Sequence, residues 1–409
     1  MTGVVPCSPF SCRMCGKPLH PSTLDFGSQP LSNRFLRDPE EAQFTHPLAL
    51  GVCMSCGLTQ IIDPPPASEV APRFPWIMYN EPEGHLDNLT DLIMTMTGAN
   101  ENSIAAGISY KDDTTLERLG AKGVRSIWRI TPEDLGLEAP KAEIETVQDR
   151  LKPERMEKIV HDHGLADLLT VRHILEHVHD VHTFLDGVKF LVNPDGMLIF
   201  EVPDCSALLA MKDYSTVWEE HVLYFTPSTL KRCLESHGFE VIRMENYSYP
   251  LENSLIAFVR ISCSSGAQCH NEEQSAGDVK LALDYFKAFL QEKEFYRNSL
   301  ATYRKSGKKI VLLGAGHLAC AFVNLFELQE YIECILDDDP HRQGLSMPGS
   351  RLPIKPTTTL GNRDIGLCLL SLNPLNEERV IDRQRSFTEQ GGEFRSIFPA
   401  SRHALRGQR

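Results

Sequence analysis

Apolar and polar positions between residues 67 and 264 alternate between strand-like and helix-like stretches. The clearest unit begins with the apolar run 166–175 (ADLLTVRHIL), continues with apolar residues at helical spacing and ends in a second apolar run, 197–204 (MLIFEVPD). Residues 193–196 (NPDG) form a predicted turn before that second run. Because crossover helices connect parallel strands, this alternation predicts a parallel α/β sheet.

The end of the same region carries one helix signal and two strand signals. Thr226 and Pro227 suit the N-cap and the first position of a helix that ends near His237 and Gly238. Two apolar runs, FEVIRM and SLIAFVRI, follow this helix. A closing strand pair after a parallel sheet predicts a doubly wound arrangement.

Two further regions flank this domain. A polar stretch at about 264–278 interrupts the periodicity and predicts a linker. After it, a helix-like run leads into a strand, a glycine turn and a helix start at 308–322 (KKIVLLGAGHLACAF). We therefore predict a small module at 1–66, a doubly wound α/β domain at 67–264 and a second, Rossmann-like α/β domain at 279–409.

The charge balance narrows the set of partners. The chain of 409 residues has a net charge of −14, whereas nucleic acids and anionic membranes attract clustered Lys and Arg. No apolar run approaches the roughly 20 residues of a membrane helix, and the first residues lack the pattern of a signal peptide. We expect a cytoplasmic protein that acts on a small molecule, without nucleic-acid or membrane partners.

Four of the twelve cysteines form two close pairs, Cys12 with Cys15 and Cys53 with Cys56. Two thiolates three positions apart can hold one side of a tetrahedral Zn²⁺, and a second pair completes a four-cysteine site. Four cysteine ligands leave no open position, so the predicted zinc ion is structural. The alternative is that both pairs are buried or redox-active thiols.

A glycine turn in the last region raises the question of a nucleotide site. Gly314, Gly316 and Ala319 match the pattern G-x-G-x-x-A after an apolar strand, and Asp337 and Asp338 follow the next strand. In dinucleotide-binding folds such glycines let the backbone approach a pyrophosphate, and the acid binds a ribose. Glycines can also serve only the close packing of helix on sheet, so both interpretations stay open.

The order of these parts resembles the sugar C-methyltransferases, which act on nucleotide-linked keto-sugars. The motifs that carry the resemblance are CRMC…CMSC, YNEPEGHLD at 79–87, RHILEHV at 172–178, NPDG…FEVPD at 193–204, WEEHVLYFTPSTL at 218–230 and LLGAG…DDDPHRQG…PG…LPI at 312–354. The resemblance covers nearly the whole chain. It implies a zinc-binding module, a class I methyltransferase domain that binds S-adenosylmethionine (SAM), and a Rossmann-like domain that helps to hold the substrate.

The segment aligned with the family's SAM loop departs from the family pattern. Gly107 stands at the first acidic position, Ser109 and Asp113 stand at glycine positions, and Thr131 stands where an acid binds the ribose hydroxyls. Loss of that acid removes charge-assisted hydrogen bonds of roughly 1.5–3 kcal/mol, unless Asp112 or Glu133 replaces it. The predicted cofactor-binding residues are Gly107, Ser109, Asp112, Thr131, Arg172 and His173.

The resemblance also implies the residues of the substrate site. The family's Y-x-E-H block aligns with residues 218–221, where tryptophan replaces the tyrosine. We predict His221 as the base that removes a proton next to the sugar ketone, Glu220 as the residue that orients it, and His177 as the group that stabilises the enolate. The other predicted substrate-binding residues are Tyr79, His85, Trp218, Gly314, Gly316 and Asp338.

Three hypotheses about function follow. The first is a SAM-dependent methyltransferase that acts on a carbon of a nucleotide-linked or related sugar. The second, favoured by the altered SAM loop, is a catalytically silent relative that binds a sugar nucleotide or a partner. The third is an enzyme with a nicotinamide cofactor at 314–319. A metal site among His173, His177, His179 and His182 is not expected, because a strand-to-helix turn spreads them apart.

Overall fold

The computed structural model describes residues 10–74, 76–77, 81–137, 147–262 and 272–406. Within these residues the strands form three sheets that follow one another along the chain. Among the same residues, no helix has both the length and the apolar character needed to cross a membrane.

A small antiparallel sheet forms the N-terminal module. Its strands, in sheet order, are β1 (Leu24–Pro30), β2 (Thr45–Val52), β3 (Thr59–Ile61) and β8 (Leu223–Tyr224). A short helix, α1 (Ala67–Val70), follows β3. The fourth strand comes from the next domain and pairs Tyr224 with Thr59. The central domain therefore completes the sheet of the module.

The central domain is built on a six-stranded mixed sheet. Its strands, in sheet order, are β5 (Ser126–Arg129), β4 (Ile104–Gly107), β6 (Ala166–Arg172), β7 (Val192–Asp204), β10 (Asn253–Ile261) and β9 (Phe239–Tyr247). Its helices are α2 (Leu86–Thr97), α3 (Asp113–Ala121), α4 (Pro153–His163), α5 (Val181–Lys189), α6 (Ser206–Met211) and α7 (Pro227–Ser236). The first four strands are parallel, and β10 and β9 close the sheet antiparallel.

Both faces of this sheet are covered, because alternate residues of each strand point to opposite sides. Leu168 and Ile199 pack in one apolar cluster with residues of α2 and α3. Leu169 and Phe200, each one position further along its strand, pack in another cluster with residues of α4, α5 and α7. The doubly wound fold predicted from the sequence is therefore confirmed.

One predicted turn in this domain is wrong. Residues 193–196 belong to β7, which starts at Val192. The pairing of β7 with β6 shifts register here, and a Cβ on Gly196 would lie 2.4 Å from Val192 Cγ1. These turn-forming residues thus produce an irregularity inside β7, because β7 pairs with β6 both before and after them.

The C-terminal domain follows a long helix, α8 (Glu272–Lys305). Its parallel sheet has the order β13 (Ile354–Lys355), β12 (Ile332–Leu336), β11 (Lys309–Leu313), β14 (Ile365–Leu370) and β15 (Glu393–Ser396). Its other helices are α9 (His317–Leu325), α10 (Pro374–Arg383) and α11 (Arg385–Glu389). A parallel sheet with intervening helices confirms the expected Rossmann-like α/β architecture.

The predicted linker at 264–278 is partly wrong, since α8 already begins at Glu272. The start of the helix is attached to its neighbours: Ser275 donates to the Met54 carbonyl at 2.9 Å, and Asp278 accepts from Arg232 and Thr226. The polar side chains at this position attach the helix to its neighbours. Composition alone does not distinguish such residues from those of a linker. Residues 263–271 lie outside the described part of the chain.

Candidate functional site

The two cysteine pairs lie in turns of the same form. Gly16 follows the first pair and Gly57 the second, with φ angles of 69° and 78°. Each glycine donates its N–H to the first cysteine of its pair at 2.8 Å. Glycine adopts this left-handed conformation without the strain that a Cβ would cause. Each turn therefore holds both cysteines of a pair in one compact unit.

The four sulfur atoms meet between these turns. Cys12 Sγ lies 3.5 Å from Cys56 Sγ, and Cys15 Sγ lies 3.5 Å from Cys53 Sγ. All four cysteines are free thiols. Sulfurs bound to Zn²⁺ at about 2.3 Å lie about 3.8 Å apart in a tetrahedron. The donor set therefore fits a structural zinc ion.

A fully buried carboxylate, Glu201 on β7, organises a charge network in the central domain. Its Oε2 accepts from Arg172 Nε at 2.5 Å, and its Oε1 lies 3.1 Å from Nε2 of both His85 and His173. Ser254 donates to the same Oε1 at 2.6 Å. Burial by itself would raise the pKa of Glu201, but the charges of Arg172 and His173 hold this pKa well below its usual value.

His173 is the cationic centre of this network. Burial by itself would lower its pKa, but the attraction of Glu81 and Glu201 raises the pKa to about 10. Its Nδ1 also lies 3.3 Å from Glu176 Oε1. The protonated ring therefore connects two buried carboxylates, Glu201 and Glu176.

A cavity of about 620 Å³ opens between the central and C-terminal domains. Its lining includes Glu81, Glu83, Thr216, Trp218, His221, Tyr249 and Glu252 from the central domain, and Gly316, His317, Arg342 and Asn373 from the C-terminal domain. Gly316 and His317 directly follow β11, and open α/β sheets bind ligands beyond the carboxyl ends of their strands. The cavity thus combines titratable groups of one domain with a strand-end turn of the other.

Trp218 and His221 line the cavity, and the segment 218–221 that carries them is attached to the N-terminal module. Trp218 Nε1 donates to Ser32 Oγ at 3.0 Å, and Glu220 Oε1 accepts from Asn33 Nδ2 at 3.0 Å. These bonds fix the indole and the carboxylate against a second domain. Glu220 therefore positions the wall segment as a whole.

His221 faces the cavity, whereas His177 is 6% exposed and packs behind it. The two rings meet edge to face with centroids 4.9 Å apart, and the Trp218 indole packs against both. Burial, and then the proximity of His177, lower the pKa of His221 well below its usual value. The His221 ring is therefore neutral at neutral pH, with a lone pair that can accept a proton.

Glu252 is the second unusual group of the cavity wall. Burial, reinforced by the negative charge of Glu81, raises the pKa of Glu252 to about 8. At neutral pH most of this carboxyl group is protonated. A buried carboxylic acid in that state donates a hydrogen bond to an oxygen that becomes negative.

Comparison with known proteins agrees with this arrangement. Three family models match consecutive segments: "Putative zinc binding domain" at 12–70, "Methyltransferase domain" at 73–244 and "C-methyltransferase C-terminal domain" at 265–399. The C-methyltransferase NovU of Streptomyces niveus is 27% identical over 412 residues, which cover 96% of each chain. The chain is therefore similar to C-methyltransferases along nearly its whole length.

Solved structures resemble this chain only distantly. The 1,6-didemethyltoxoflavin-N1-methyltransferase of Burkholderia thailandensis is 12% identical, with a TM-score of 0.31 over 44% of this chain and 79% of its own. The magnesium protoporphyrin IX methyltransferase of Synechocystis PCC 6803 is 12% identical, with a TM-score of 0.30 over 45% of this chain and 90% of its own.

Asp112 closes the loop that was aligned with the family's SAM loop. The carboxylate accepts the N–H groups of Ile108 and Ser109 at 2.9 and 3.0 Å. A Cβ on Gly107 would lie 2.6 Å from Asp112 Cβ, so glycine is needed for this close approach. Ser109 caps the short 3₁₀ helix Tyr110–Asp112. Asp112 thus stabilises the loop through the loop's own backbone.

Two polar groups outside the loop suit the ends of SAM. Arg172 Nη2 is buried and makes no hydrogen bond within the described residues, and a guanidinium suits a carboxylate. Thr131 donates its N–H and its hydroxyl to Asp134 Oδ2, both at 2.8 Å. An acid therefore lies beside the predicted ribose position, whereas Glu133 is exposed. Arg172 and Asp134 therefore fit the carboxylate and the ribose hydroxyls of SAM. Asp134 would take the role that the family gives to an acid at the end of the strand.

The glycine turn of the C-terminal domain is partly explained by packing. Gly314 has a φ of 109°, and a Cβ on it would lie 2.7 Å from Ser371 Oγ. Asp337 accepts the N–H of Ala315 at 2.9 Å, so this acid is engaged within the turn. Gly316, by contrast, has open space beside it and lines the large cavity. Gly316 therefore faces the cavity between the domains, whereas Gly314 lines a separate cavity of about 200 Å³.

The remaining predicted substrate residues fall in different places. Asp338 accepts from Thr357 at 2.8 Å and lines a separate cavity of about 200 Å³. His85 lies beneath the large cavity, with Nδ1 2.8 Å from the Tyr249 hydroxyl and Nε2 directed at Glu201. Tyr79 lies outside the described residues.

Sequence reasoning did not name several groups that the fold brings to the cavity. These are Glu81, Glu252, His317 and Arg342. Glu81 and Arg342 lie inside two of the motifs that carry the family resemblance, and His317 directly follows one. Glu252 stands in a loop without a motif, so only its position in the fold reveals it.

Proposed function

We propose that this C-methyltransferase transfers a methyl group to the carbon next to a ketone of a nucleotide-linked sugar. The observation that carries the proposal is that His221 and Glu252 line the same cavity, where the pKa of His221 is lowered and that of Glu252 is raised to about 8. Carbon methylation next to a ketone needs a base for the C–H proton and a donor for the enolate oxygen. The two groups match these needs.

His221 is the proposed base. It takes the proton from the carbon next to the ketone, and the electron pair of that C–H bond moves into the enolate. Trp218 and Glu220 hold the segment in place through Ser32 and Asn33, which limits movement of the ring during proton transfer. His177 acts through His221, because it packs behind that ring.

Glu252 is the proposed donor to the enolate oxygen. The hydrogen bond that a neutral carboxylic acid donates becomes stronger as negative charge develops on the acceptor. Arg342 and Gly316 contribute a cation and open backbone space on the opposite wall. These features suit the phosphate-bearing end of a sugar nucleotide.

Arg172 and Asp134 are the residues proposed to hold SAM, at its carboxylate and its ribose hydroxyls. When bound, SAM supplies an electrophilic methyl group on a sulfonium. One observation favours the silent relative as second candidate: the loop N–H groups of Ile108 and Ser109 already bind Asp112.

Proton exchange separates these candidates without requiring methyl transfer. The full-length protein is incubated in deuterated buffer with a panel of nucleoside-diphosphate keto-sugars, and NMR follows deuterium uptake at the carbon next to the ketone. We expect His221→Ala to slow exchange by about 10²- to 10⁴-fold, the usual contribution of a positioned base. His161→Ala, an exposed histidine on α4, is the matched control and should exchange at the wild-type rate.

Calorimetric titration with SAM completes the experiment. His221→Ala should bind SAM as the wild type does, since the base acts on the sugar. If the wild type binds sugar nucleotides but shows neither exchange nor methyl transfer with any of them, the methyltransferase proposal is wrong and the silent relative stands.

A further inference from the structure

Three metal-ligating side chains converge behind the cavity, away from the four cysteines. They are Glu176 and His177, in the short 3₁₀ helix Leu175–His177 after β6, and His221, just before β8. One ligand atom of each lies within 4.8 Å of the other two. This trio differs from the histidine cluster of the sequence, because only His177 belongs to both.

Two members of this trio, Glu176 and His177, are buried, whereas His221 is partly exposed at the cavity. Glu176 is 1% exposed and His177 6% exposed. Within the described part of the chain, the two oxygens of Glu176 and the Nδ1 of His177 make no hydrogen bond. The nearest charge to Glu176 that the structure gives is His173, whose Nδ1 lies 3.3 Å from Glu176 Oε1. The charge of His173 compensates Glu176 in part, and a bound cation would supply the direct partner that Glu176 Oε2 and His177 Nδ1 lack.

We propose that Glu176, His177 and His221 bind one divalent transition-metal ion such as Zn²⁺, Fe²⁺ or Co²⁺. Two imidazoles and one carboxylate suit such borderline ions, and three protein ligands leave at least one coordination position open. Donor atoms bound at about 2.1 Å lie roughly 3–3.5 Å apart, so small side-chain rotations close the site. His173, held by Glu201, is the outer partner that orients the carboxylate.

This site does not rest on the proposed reaction. An ion on His221 takes the lone pair that the reaction uses for the proton, so the metal-bound state is an inhibited one if His221 is the base. Binding and catalysis are therefore measured separately, and failure of one does not decide the other.

The test is a Co²⁺ titration of full-length protein whose cysteine site already holds one equivalent of Zn²⁺. Equilibrium dialysis should show one further equivalent of Co²⁺, with an absorption spectrum that lacks thiolate-to-cobalt bands. Glu176→Gln and His177→Ala should weaken this binding by more than the roughly 10- to 100-fold that loss of an outer partner costs. His161→Ala should bind Co²⁺ as the wild type does.

Retention of the cysteine-bound zinc shows that each variant is folded, and Glu176→Gln is isosteric. The proposal is overturned if Co²⁺ binds only by exchange into the cysteine site. So does equal Co²⁺ affinity in the wild type and in folded Glu176→Gln and His177→Ala overturn it.

Discussion

Replacement of Glu201 by glutamine tests the buried charge network beneath the cavity. The substitution preserves side-chain size and removes the negative charge that contacts both Arg172 and His173. Both cationic side chains stay buried, with exposures of 2% and 5%. Removing one partner of a buried ion pair costs about 3–5 kcal/mol, because the other charge loses its compensation.

The pKa of His173 provides a second measure of this cost. A rise from 6.5 to about 10 corresponds to about 5 kcal/mol of preference for the charged ring. Glu81 accounts for part of that preference, so the part due to Glu201 is smaller. Loss of the ion pair between Arg172 and Glu201 adds to the cost of the substitution. We expect Glu201→Gln to lower the free energy of unfolding by about 3–5 kcal/mol at neutral pH.

The network also sets the pH dependence of stability. His173 has a raised pKa, so its contribution is complete below about pH 6.5 and is lost as the pH rises through about 10. Glu201 has a depressed pKa, so its contribution is present above the pKa of an unfolded glutamate and is lost as the pH falls toward its own. In Glu201→Gln the alkaline loss should shrink, because His173 no longer faces one of its two main carboxylates.

Urea unfolding followed by tryptophan fluorescence measures this prediction, since Trp128 and Trp218 lie in the central domain. Glu245→Gln is the matched control, because its partner Arg243 is 48% exposed and such surface pairs contribute at most about 1 kcal/mol. A loss below about 1 kcal/mol in Glu201→Gln, equal to that of the control, would refute the reasoning.

Three further predictions concern the other sites. Cys53→Ser should reduce bound zinc well below one equivalent and destabilise the N-terminal module, as measured by elemental analysis and thermal unfolding; unchanged zinc content would contradict the site. Asp134→Asn should weaken SAM binding about ten- to hundredfold in calorimetry, whereas exposed Glu133→Gln should not, and equal affinities would exclude Asp134 from the site. Gly314→Ala should cost about 1–2 kcal/mol of stability from its positive φ alone, and more from contact with Ser371. Gly316→Ala should be tolerated. Equal melting temperatures of the two variants would show that this turn is not strained.

The fold was predictable where a single periodic pattern decides the outcome. The doubly wound sheet follows from apolar runs that alternate with amphipathic segments, and the N-cap at Thr226 follows from local hydrogen bonding. The turn at 193–196 and the linker at 264–278 were wrong for a common reason. In both, neighbouring strands or helices bind polar residues that composition alone assigns to loops.

The candidate site was less predictable, because burial and long-range contacts determine what each residue does. His221 could be named from a motif, but its lowered pKa depends on burial and then on the proximity of His177. Asp112 matches a cofactor acid by proximity in sequence, yet it binds its own loop. Glu252 has no motif at all, and its raised pKa arises from burial near Glu81.

The pairing of β8 with β3 has a consequence for any attempt to dissect this enzyme. β8 starts two residues after His221, yet its hydrogen-bond partner belongs to the N-terminal module. A fragment limited to the central domain would expose this strand as an unpaired edge, and exposed edges promote association between copies. The segment 218–221 is therefore expected to keep its shape only when the preceding module is present on the same polypeptide or supplied in trans.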